Sequence, residues 1–180
     1  MKKNNKLTDY LYASMFAALI SILAFLSIPL PFGPPITGQT LGVMLAGNIL
    51  KPKQVLLSIT TYLLLGCIGL PVFSGGTSGL EVLSGKGGGY LIGFLVGAVV
   101  ISLIKGSRNS LFRICISNLI GGIIVIHIIG SLWLSIITGI TYKQAFMLGS
   151  LPYIAGDLVK LVCASLTAHS VNKHLSFSKH

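Results

Sequence analysis

The chain has 180 residues, of which 53% are apolar types and 9% are charged, and its mean hydropathy is +0.88. Since an ordinary soluble domain carries about 25% charged residues, the composition excludes that class and indicates an integral membrane protein. The net charge of +10 could suggest a nucleic-acid partner. However, the Lys and Arg residues cluster at the ends of apolar runs and are not interleaved with aromatic residues, so we expect no nucleic acid.

Six apolar segments predict an all-α membrane protein with six transmembrane helices. They cover approximately residues 10–28, 38–50, 54–70, 88–104, 111–137 and 152–171. A bilayer core about 30 Å thick requires about 20 helical residues, so the second segment is short and the fifth is long enough to tilt. We interpret the first segment as a membrane helix, because it is longer than the about 7–15 apolar residues of a signal peptide. We expect residues 1–180 to form one membrane domain.

The distribution of basic residues predicts the orientation in the cell membrane. Ten of the thirteen Lys and Arg residues lie in the two tails and in the loops after the second and fourth segments. The opposite side has only Lys86 and Lys143, and Lys160 lies inside the sixth segment. Because basic residues concentrate on the cytoplasmic side, we predict that both termini are cytoplasmic.

The connections on the predicted outer side are rich in proline and glycine. The first outer connection carries the prolines at positions 29, 31, 34 and 35, which restrict the backbone and can make it rigid without a helix. The longest outer connection, residues 70–90, joins helices 3 and 4 and is rich in glycine. We predict that it is a lid or a binding loop, with a flexible connector as the alternative. Its Gly85-Lys86 pair lacks the remainder of a Walker motif, so we expect no nucleotide hydrolysis by that route.

Small residues recur every four positions on two predicted helices: Gly38, Gly42 and Ala46 on the second, and Gly89, Gly93 and Gly97 on the fourth. Such faces let helix backbones pack closely, which is how we interpret them. Ala13 and Ala17 form a similar pair on the first helix. That pair could pack within the bundle or dock a partner helix.

Several polar side chains lie inside predicted spans. His127 has no other His, Cys or acidic residue nearby in the sequence. We interpret it as a neutral, hydrogen-bonded residue of the bundle, with a ligand contact or a proton carrier as the alternative. Asn118 is expected to form hydrogen bonds between helices. The three cysteines have no metal-binding spacing, so we expect buried apolar side chains and no metal site: Cys67, Cys115 and Cys163.

The leading candidate site is Asp157, one of three acidic residues, which precedes Lys160 by one helical turn. Each such charge costs roughly 2.5–3.5 kcal/mol at the centre of a membrane helix. The two side chains share a helix face and could neutralise each other, but apolar residues could replace a purely structural pair. We therefore expect a small polar ligand with both N–H and C=O or carboxylate groups. Tyr90 and Gln39 lie at outer helix ends, where they could reach this pocket or anchor the helices at the interface.

Four blocks in order along the chain resemble a known family: Pro35-Ile-Thr-Gly-Gln-Thr-Leu41, Gly69-Leu-Pro-Val-Phe-Ser-Gly-Gly76, Gly88-Gly-Tyr-Leu-Ile-Gly-Phe94 and Gly156-Asp-Leu-Val-Lys160. They resemble BioY, the biotin-binding S component of energy-coupling-factor (ECF) transporters, over essentially the whole chain. One departure is the run Gly-Lys-Gly-Gly-Gly at 85–89, where the family commonly has Gly-Pro-Thr-Gly-Gly. The resemblance therefore gives no support to Lys86 or its neighbours as family binding residues.

The resemblance implies a six-helix substrate-capture subunit with an outward-facing biotin pocket roofed by the outer loops. It implies a transmembrane T component and two cytoplasmic ATPases as partners, with Ala13 and Ala17 on the surface presented to the T component. Asp157 would accept a ureido N–H of biotin, and Lys160 would donate to the ureido carbonyl or to the valerate carboxylate. Phe73 and Tyr90 would contact the apolar part of biotin. Four glycines would permit close backbone approach: Gly75, Gly76, Gly88 and Gly89. No cofactor is expected.

Two other functions remain open from the residues. In a proton-coupled secondary transporter of a small polar metabolite, Asp157 would relay protons beside Lys160. An S component for another vitamin would use the same pair for a different ligand. A membrane enzyme is a third class, but the chain has three acidic residues and no Cys/His or Ser/His constellation, which leaves little for catalysis.

Overall fold

The computed structural model describes residues 5–28, 35–107 and 109–177, and these are mostly helical. The helices are α1 Asn5–Phe25, α2 Gln39–Ile49, α3 Pro52–Cys67, α4 Leu80–Ser84, α5 Gly88–Lys105, α6 Leu111–Ser117, α7 Ile126–Thr138, α8 Tyr142–Gly149 and α9 Leu151–Phe177. A π-helical segment, Asn118–Val125, joins α6 to α7, and a 3-10 turn, Ser74–Gly76, lies between α3 and α4. The prolines predicted to stiffen residues 29–34 lie outside the described residues, as do the basic residues at 2, 3, 108 and 179.

The apolar segments predicted from hydropathy overlap six helical stretches, with α6, the π-helical segment and α7 forming one of them. The prediction missed the two short helices α4 and α8. It also missed two short antiparallel strands, β1 Ser27–Ile28 and β2 Ile36–Thr37, which pair between α1 and α2. Short elements of this kind depend on tertiary contacts and have no strong hydropathy period.

Four helical stretches in the described part of the chain are long and apolar enough to cross a membrane: Lys6–Phe25, Gly88–Lys105, Leu111–Thr138 and Leu151–His174. Helices α2 and α3 are shorter, with 11 and 16 residues. A membrane core about 30 Å thick requires about 20 helical residues. The chain is therefore a multi-pass membrane protein.

Helix α5 packs at the centre of the bundle, against α2, α3, the π-helical segment and α7. Its glycine face makes this possible. A Cβ on Gly93 would lie 3.1 Å from the backbone of Ile126, and one on Gly97 would clash with the carbonyl oxygen of Gly121. The prediction that this face packs closely on another helix is confirmed, and its partner lies in the same chain.

Helix α1 packs chiefly against α3 and α2. Ala13 and Ala17 point into this contact and are 3% and 1% exposed. Their small side chains thus let α1 approach its neighbours within the chain. A role of this pair in docking a partner stays a prediction.

A buried polar layer joins α2, the π-helical segment and α9. Asn48 Nδ2 donates to Asn118 Oδ1 at 2.6 Å, and Asn118 Nδ2 donates to Ser165 Oγ at 3.0 Å. The prediction that Asn118 bonds between helices is confirmed.

The cysteines are less buried than predicted. Cys67 and Cys115 are half-buried and Cys163 is exposed. The outer surface of a membrane bundle contacts lipid, so a small apolar side chain is as stable there as in the core.

Candidate ligand-binding site

A cavity of about 390 Å³ lies at one end of the bundle. The first turns of α2, α5 and α7, the N-terminal half of α9 and residues 73–87 surround it. Small-molecule sites in proteins commonly have about 300–1,000 Å³ and a mostly apolar lining with a few placed polar groups. Here most of the lining surface is apolar, and four of the polar side chains form one hydrogen-bonded group: Thr40, His127, Asp157 and Lys160.

Asp157 is the centre of the polar group and is only 2% exposed. Its Oδ1 accepts hydrogen bonds from Lys160 Nζ at 2.9 Å and from Thr40 Oγ1 at 2.8 Å. Its Oδ2 lies 2.9 Å from His127 Nε2. The contact predicted between Asp157 and Lys160 is therefore present. Side chains from α2 and α7 complete the hydrogen bonds to the carboxylate, so residues of three helices, α2, α7 and α9, hold it in place.

Thr40 connects both members of the charged pair. Its hydroxyl donates to Asp157 and accepts a hydrogen bond from Lys160 Nζ at 2.9 Å. A hydroxyl has one donor and two acceptor sites, so both bonds can exist together. Thr40 thereby fixes the carboxylate and the ammonium relative to each other and to the start of α2.

His127 extends the network away from the carboxylate. Its Nδ1 lies 2.9 Å from Ser150 Oγ, which is 2.7 Å from Ser131 Oγ. Because Nε2 faces a carboxylate oxygen, Nε2 carries the hydrogen, and in the neutral ring Nδ1 accepts from Ser150. Tyr90 completes this side, since its hydroxyl donates to the Gly149 carbonyl and lies 3.3 Å from Ser150 Oγ.

The hydrogen-bonded character predicted for His127 is confirmed, but sequence reasoning did not place it at the candidate site. His127 and Asp157 are 30 residues apart, and Thr40 and Asp157 are 117 apart. The one available signal for Thr40 was its position in a family-like block, directly after Gln39. No local pattern connected His127 to the acid.

The aromatic side of the cavity contains three side chains that the sequence analysis selected: Gln39, Phe73 and Tyr90. Phe73 is fully buried, and its ring occupies the space that a Cβ on Gly66 would need. Tyr62 packs edge-on against Phe73 with ring centroids 5.6 Å apart, and its hydroxyl accepts a hydrogen bond from Gln39 Nε2. This packing holds the loop after α3 against the start of α2. Contact of these side chains with a ligand stays a prediction.

The four glycines selected for close ligand approach lie beside the cavity and do not line it: Gly75, Gly76, Gly88 and Gly89. Gly75 and Gly76 have positive φ values of 64° and 79°, and they turn the loop against the end of α1. Gly88 and Gly89 leave room for the end of α4 and for Trp133. They shape the walls of the site, and their contact with a ligand stays a prediction. The lining glycines are Gly85, Gly87 and Gly149.

Comparison with known proteins identifies the family. The family model described as the BioY family matches residues 1–177. The chain belongs to the BioY family. The resemblance seen in the four sequence blocks is thereby confirmed over nearly the whole chain.

Several curated relatives and one solved structure are similar over almost the full length. The chain is 35% identical to "Biotin transporter BioY2" of Lactococcus lactis subsp. cremoris, covering 97% of this chain and 95% of that protein. It is 39% identical to "Biotin transporter BioY" of Thermotoga maritima, covering 89% of this chain and 94% of that protein. A crystal structure described as the S-component for biotin from an ECF-type ABC transporter has a TM-score of 0.88 and 33% identity, covering 96% of this chain and 95% of that one.

Proposed function

We propose that this BioY-family protein captures biotin as the substrate-binding S component of an ECF-type transporter. The observation that carries the proposal is the cavity in which Thr40 and His127 hold a buried carboxylate beside an ammonium group. The similarity to proteins described as biotin transporters supports the identity of the ligand. The function is binding and delivery, without covalent chemistry.

The hydrogen-bonding capacity of the charged pair matches the ureido group of biotin. A carboxylate offers about four acceptor sites and an ammonium offers three donors. The contacts described above use three acceptor sites of Asp157 and two donors of Lys160. One acceptor site of Asp157 and one donor of Lys160 remain for a ligand. A ureido ring presents an N–H next to a C=O, so Asp157 accepts the N–H and Lys160 donates to the carbonyl.

The apolar part of biotin packs on the aromatic side of the cavity. Phe73, Tyr90 and Phe94 lie there together with Leu91. An apolar ring and methylene chain gain about 25 cal/mol for each Å² of surface removed from water. These contacts contribute affinity, whereas Asp157 and Lys160 determine which head group binds.

The membrane arrangement that we propose has six segments in a single domain. They are α1, α2, α3, α5, the stretch from α6 to α7, and α9, with residues 70–87 as the outer roof of the cavity. The described basic residues at the other end support an outward-facing cavity and cytoplasmic termini, by the preference of Lys and Arg for the cytoplasmic side. They are Lys6, Lys51, Lys53, Lys105, Arg113 and Lys173.

Cysteine labelling tests this orientation. In a variant whose native cysteines are replaced by alanine, Lys143→Cys should react with a membrane-impermeant maleimide in intact cells. Lys53→Cys should react only after the membrane is opened. The opposite pattern would invert the proposed topology.

The partners that we propose are a transmembrane T component and two cytoplasmic ATPases. The ECF context of the similar S component supports this assembly. Docking of the T component at Ala13 and Ala17 requires access to side chains that are buried in the isolated chain, so α1 would have to shift from α3. Copurification of the three partner types with tagged protein tests the assembly.

Calorimetry on detergent-purified protein tests the ligand. Biotin should bind with a dissociation constant below about 1 μM, which corresponds to about −8 kcal/mol. Desthiobiotin retains the ureido ring and should also bind, whereas unrelated vitamins should not. Absence of biotin binding below micromolar concentration would refute the proposal. Tight binding of another vitamin instead would identify that vitamin as the ligand.

A further inference from the structure

The charges that line the cavity do not balance. Among the described residues, its ionised side chains are Asp157, Lys160 and Lys86, which sum to one positive charge when His127 is neutral. Asp157 and Lys160 form an ion pair at 2.9 Å and neutralise each other. The excess positive charge of the cavity therefore belongs to Lys86.

Lys86 lies at the mouth of the cavity and not at its buried end. It is exposed, whereas Asp157 is 2% exposed. In the described part of the chain no acidic side chain forms an ion pair with Lys86. Glu81, the acidic residue of the same loop, is not among the lining residues. The Lys86 ammonium is thus available to a group that enters the cavity.

The backbone around Lys86 adds to the positive potential. Lys86 stands between Gly85 and Gly87 in the turn that precedes α5, a helix of 18 residues. The N-terminus of a helix carries a partial positive charge and favours anions. The flanking glycines have no side chains, so a ligand group can approach the turn closely.

We propose that Lys86 binds the carboxylate of the ligand and makes the cavity selective for the free acid over its amides and esters. This inference rests on biotin capture as the proposed function. In biotin the carboxylate and the ureido ring are at opposite ends of a flexible chain. Asp157 and Lys160 hold the ureido ring at the buried end, and Lys86 holds the carboxylate at the mouth. Lys160 then binds the ureido ring and does not bind the carboxylate of biotin.

The expected contribution of Lys86 is moderate, because the residue is exposed. Ion pairs at protein surfaces contribute up to about 1 kcal/mol, or about fivefold in affinity, and partial exclusion of water in the occupied cavity increases this. We expect Lys86→Met to weaken the binding of biotin about three- to tenfold. Biotinamide lacks the carboxylate, so its affinity should change by less than about twofold.

The test is calorimetry with the full-length protein in detergent and with two ligands, biotin and biotinamide. The measured quantity is the ratio of the two dissociation constants. The wild type should prefer biotin, Lys86→Met should lose the preference, and Lys86→Arg should retain it. Lys143→Met is the matched control, since Lys143 is another exposed lysine that does not line the cavity. Raising the salt concentration should reduce the preference in every protein that keeps the charge at position 86 and should have no such effect in Lys86→Met.

The outcomes separate this inference from the proposed function. An unchanged ratio in Lys86→Met, with biotin still bound by the wild type, would overturn the role of Lys86 and leave biotin capture intact. An equal loss for both ligands would also overturn it, because that result indicates a change in the shape of the loop. If the wild-type protein binds neither ligand, both the role of Lys86 and the capture of biotin are refuted.

Discussion

Replacement of Asp157 by asparagine separates the structural role of the buried pair from its role in binding. Asparagine preserves the size of the side chain but removes the negative charge. The carboxylate now accepts from Lys160 and Thr40 and contacts His127. In Asp157→Asn one of the two oxygens becomes an NH2 group, so the ammonium of Lys160 loses its counter-charge.

The structure sets the magnitude of the effect. Breaking a fully buried ion pair by removing one partner costs about 3–5 kcal/mol. The Lys160 side chain is 19% exposed, so water in the cavity relieves part of that cost. We expect the free energy of unfolding to fall by about 2–4 kcal/mol, which lowers Tm by about 5–15 °C for a chain of this length. In the binding mode that we propose, two charged hydrogen bonds to biotin are lost or poorly oriented, so binding should weaken at least about 100-fold.

The double variant Asp157→Asn/Lys160→Met decides between the two roles. Methionine fills the space of the lysine stem and leaves no unpaired ammonium, so Tm should recover most of the loss. Biotin binding should stay weak, because both the acceptor and the donor are gone. Thermal unfolding in detergent and calorimetry measure the two effects on the same samples. A double variant that binds biotin within tenfold of the wild type would refute our account of the site.

Thr40→Val removes the hydroxyl that connects the acid and the ammonium, and we expect about tenfold weaker biotin binding by calorimetry, since a hydrogen bond to a charged group contributes about 1.5–3 kcal/mol. His127→Phe keeps an aromatic ring at this position but removes a donor to the carboxylate, and a similar loss is expected in the same assay. Gly97→Ala introduces a Cβ that clashes with a backbone oxygen of the π-helical segment, so Tm should fall by an amount that corresponds to about 1–3 kcal/mol. Gly156→Ala is its matched control, because open space surrounds that position and alanine favours a helix by up to about 1 kcal/mol.

Results at these positions could contradict the structure in distinct ways. Unchanged biotin affinity in both Thr40→Val and His127→Phe would show that the carboxylate does not need its supporting donors. A Gly97→Ala protein as stable as the Gly156→Ala control would show that α5 does not approach the π-helical segment as closely as described.

Features that depend on neighbouring residues could be predicted from the sequence. The apolar runs placed α5 and α9 to within a few residues at their first turns, since hydropathy accumulates along a continuous segment. The contact between Asp157 and Lys160 follows from their i,i+3 spacing on one helix. The glycine face of α5 predicted close packing, although not its partner, because a helix face does not specify which helix covers it.

The loop between α3 and α5 was predicted only in part. Its glycine content indicated an unusual backbone, and Gly75 and Gly76 do have positive φ. Which glycines reach the cavity depends on how the loop folds back, and the structure places Gly85 and Gly87 there. The composition of a loop indicates which backbone conformations it can adopt, whereas packing against α1 and α5 determines the conformation that it does adopt.

The amino-acid sequence alone determined that the chain is a helical membrane protein and that Asp157 and Lys160 form an unusual buried pair. Both conclusions rest on the cost of charge in an apolar environment, which is a property of composition and local spacing. Only the tertiary structure decided that Thr40 and His127 complete the coordination of the acid, and that Lys86 carries the unbalanced charge of the cavity. These relations join α2, α7, α9 and the loop that precedes α5. They depend on how helices distant in sequence pack together, and no local pattern specifies that packing.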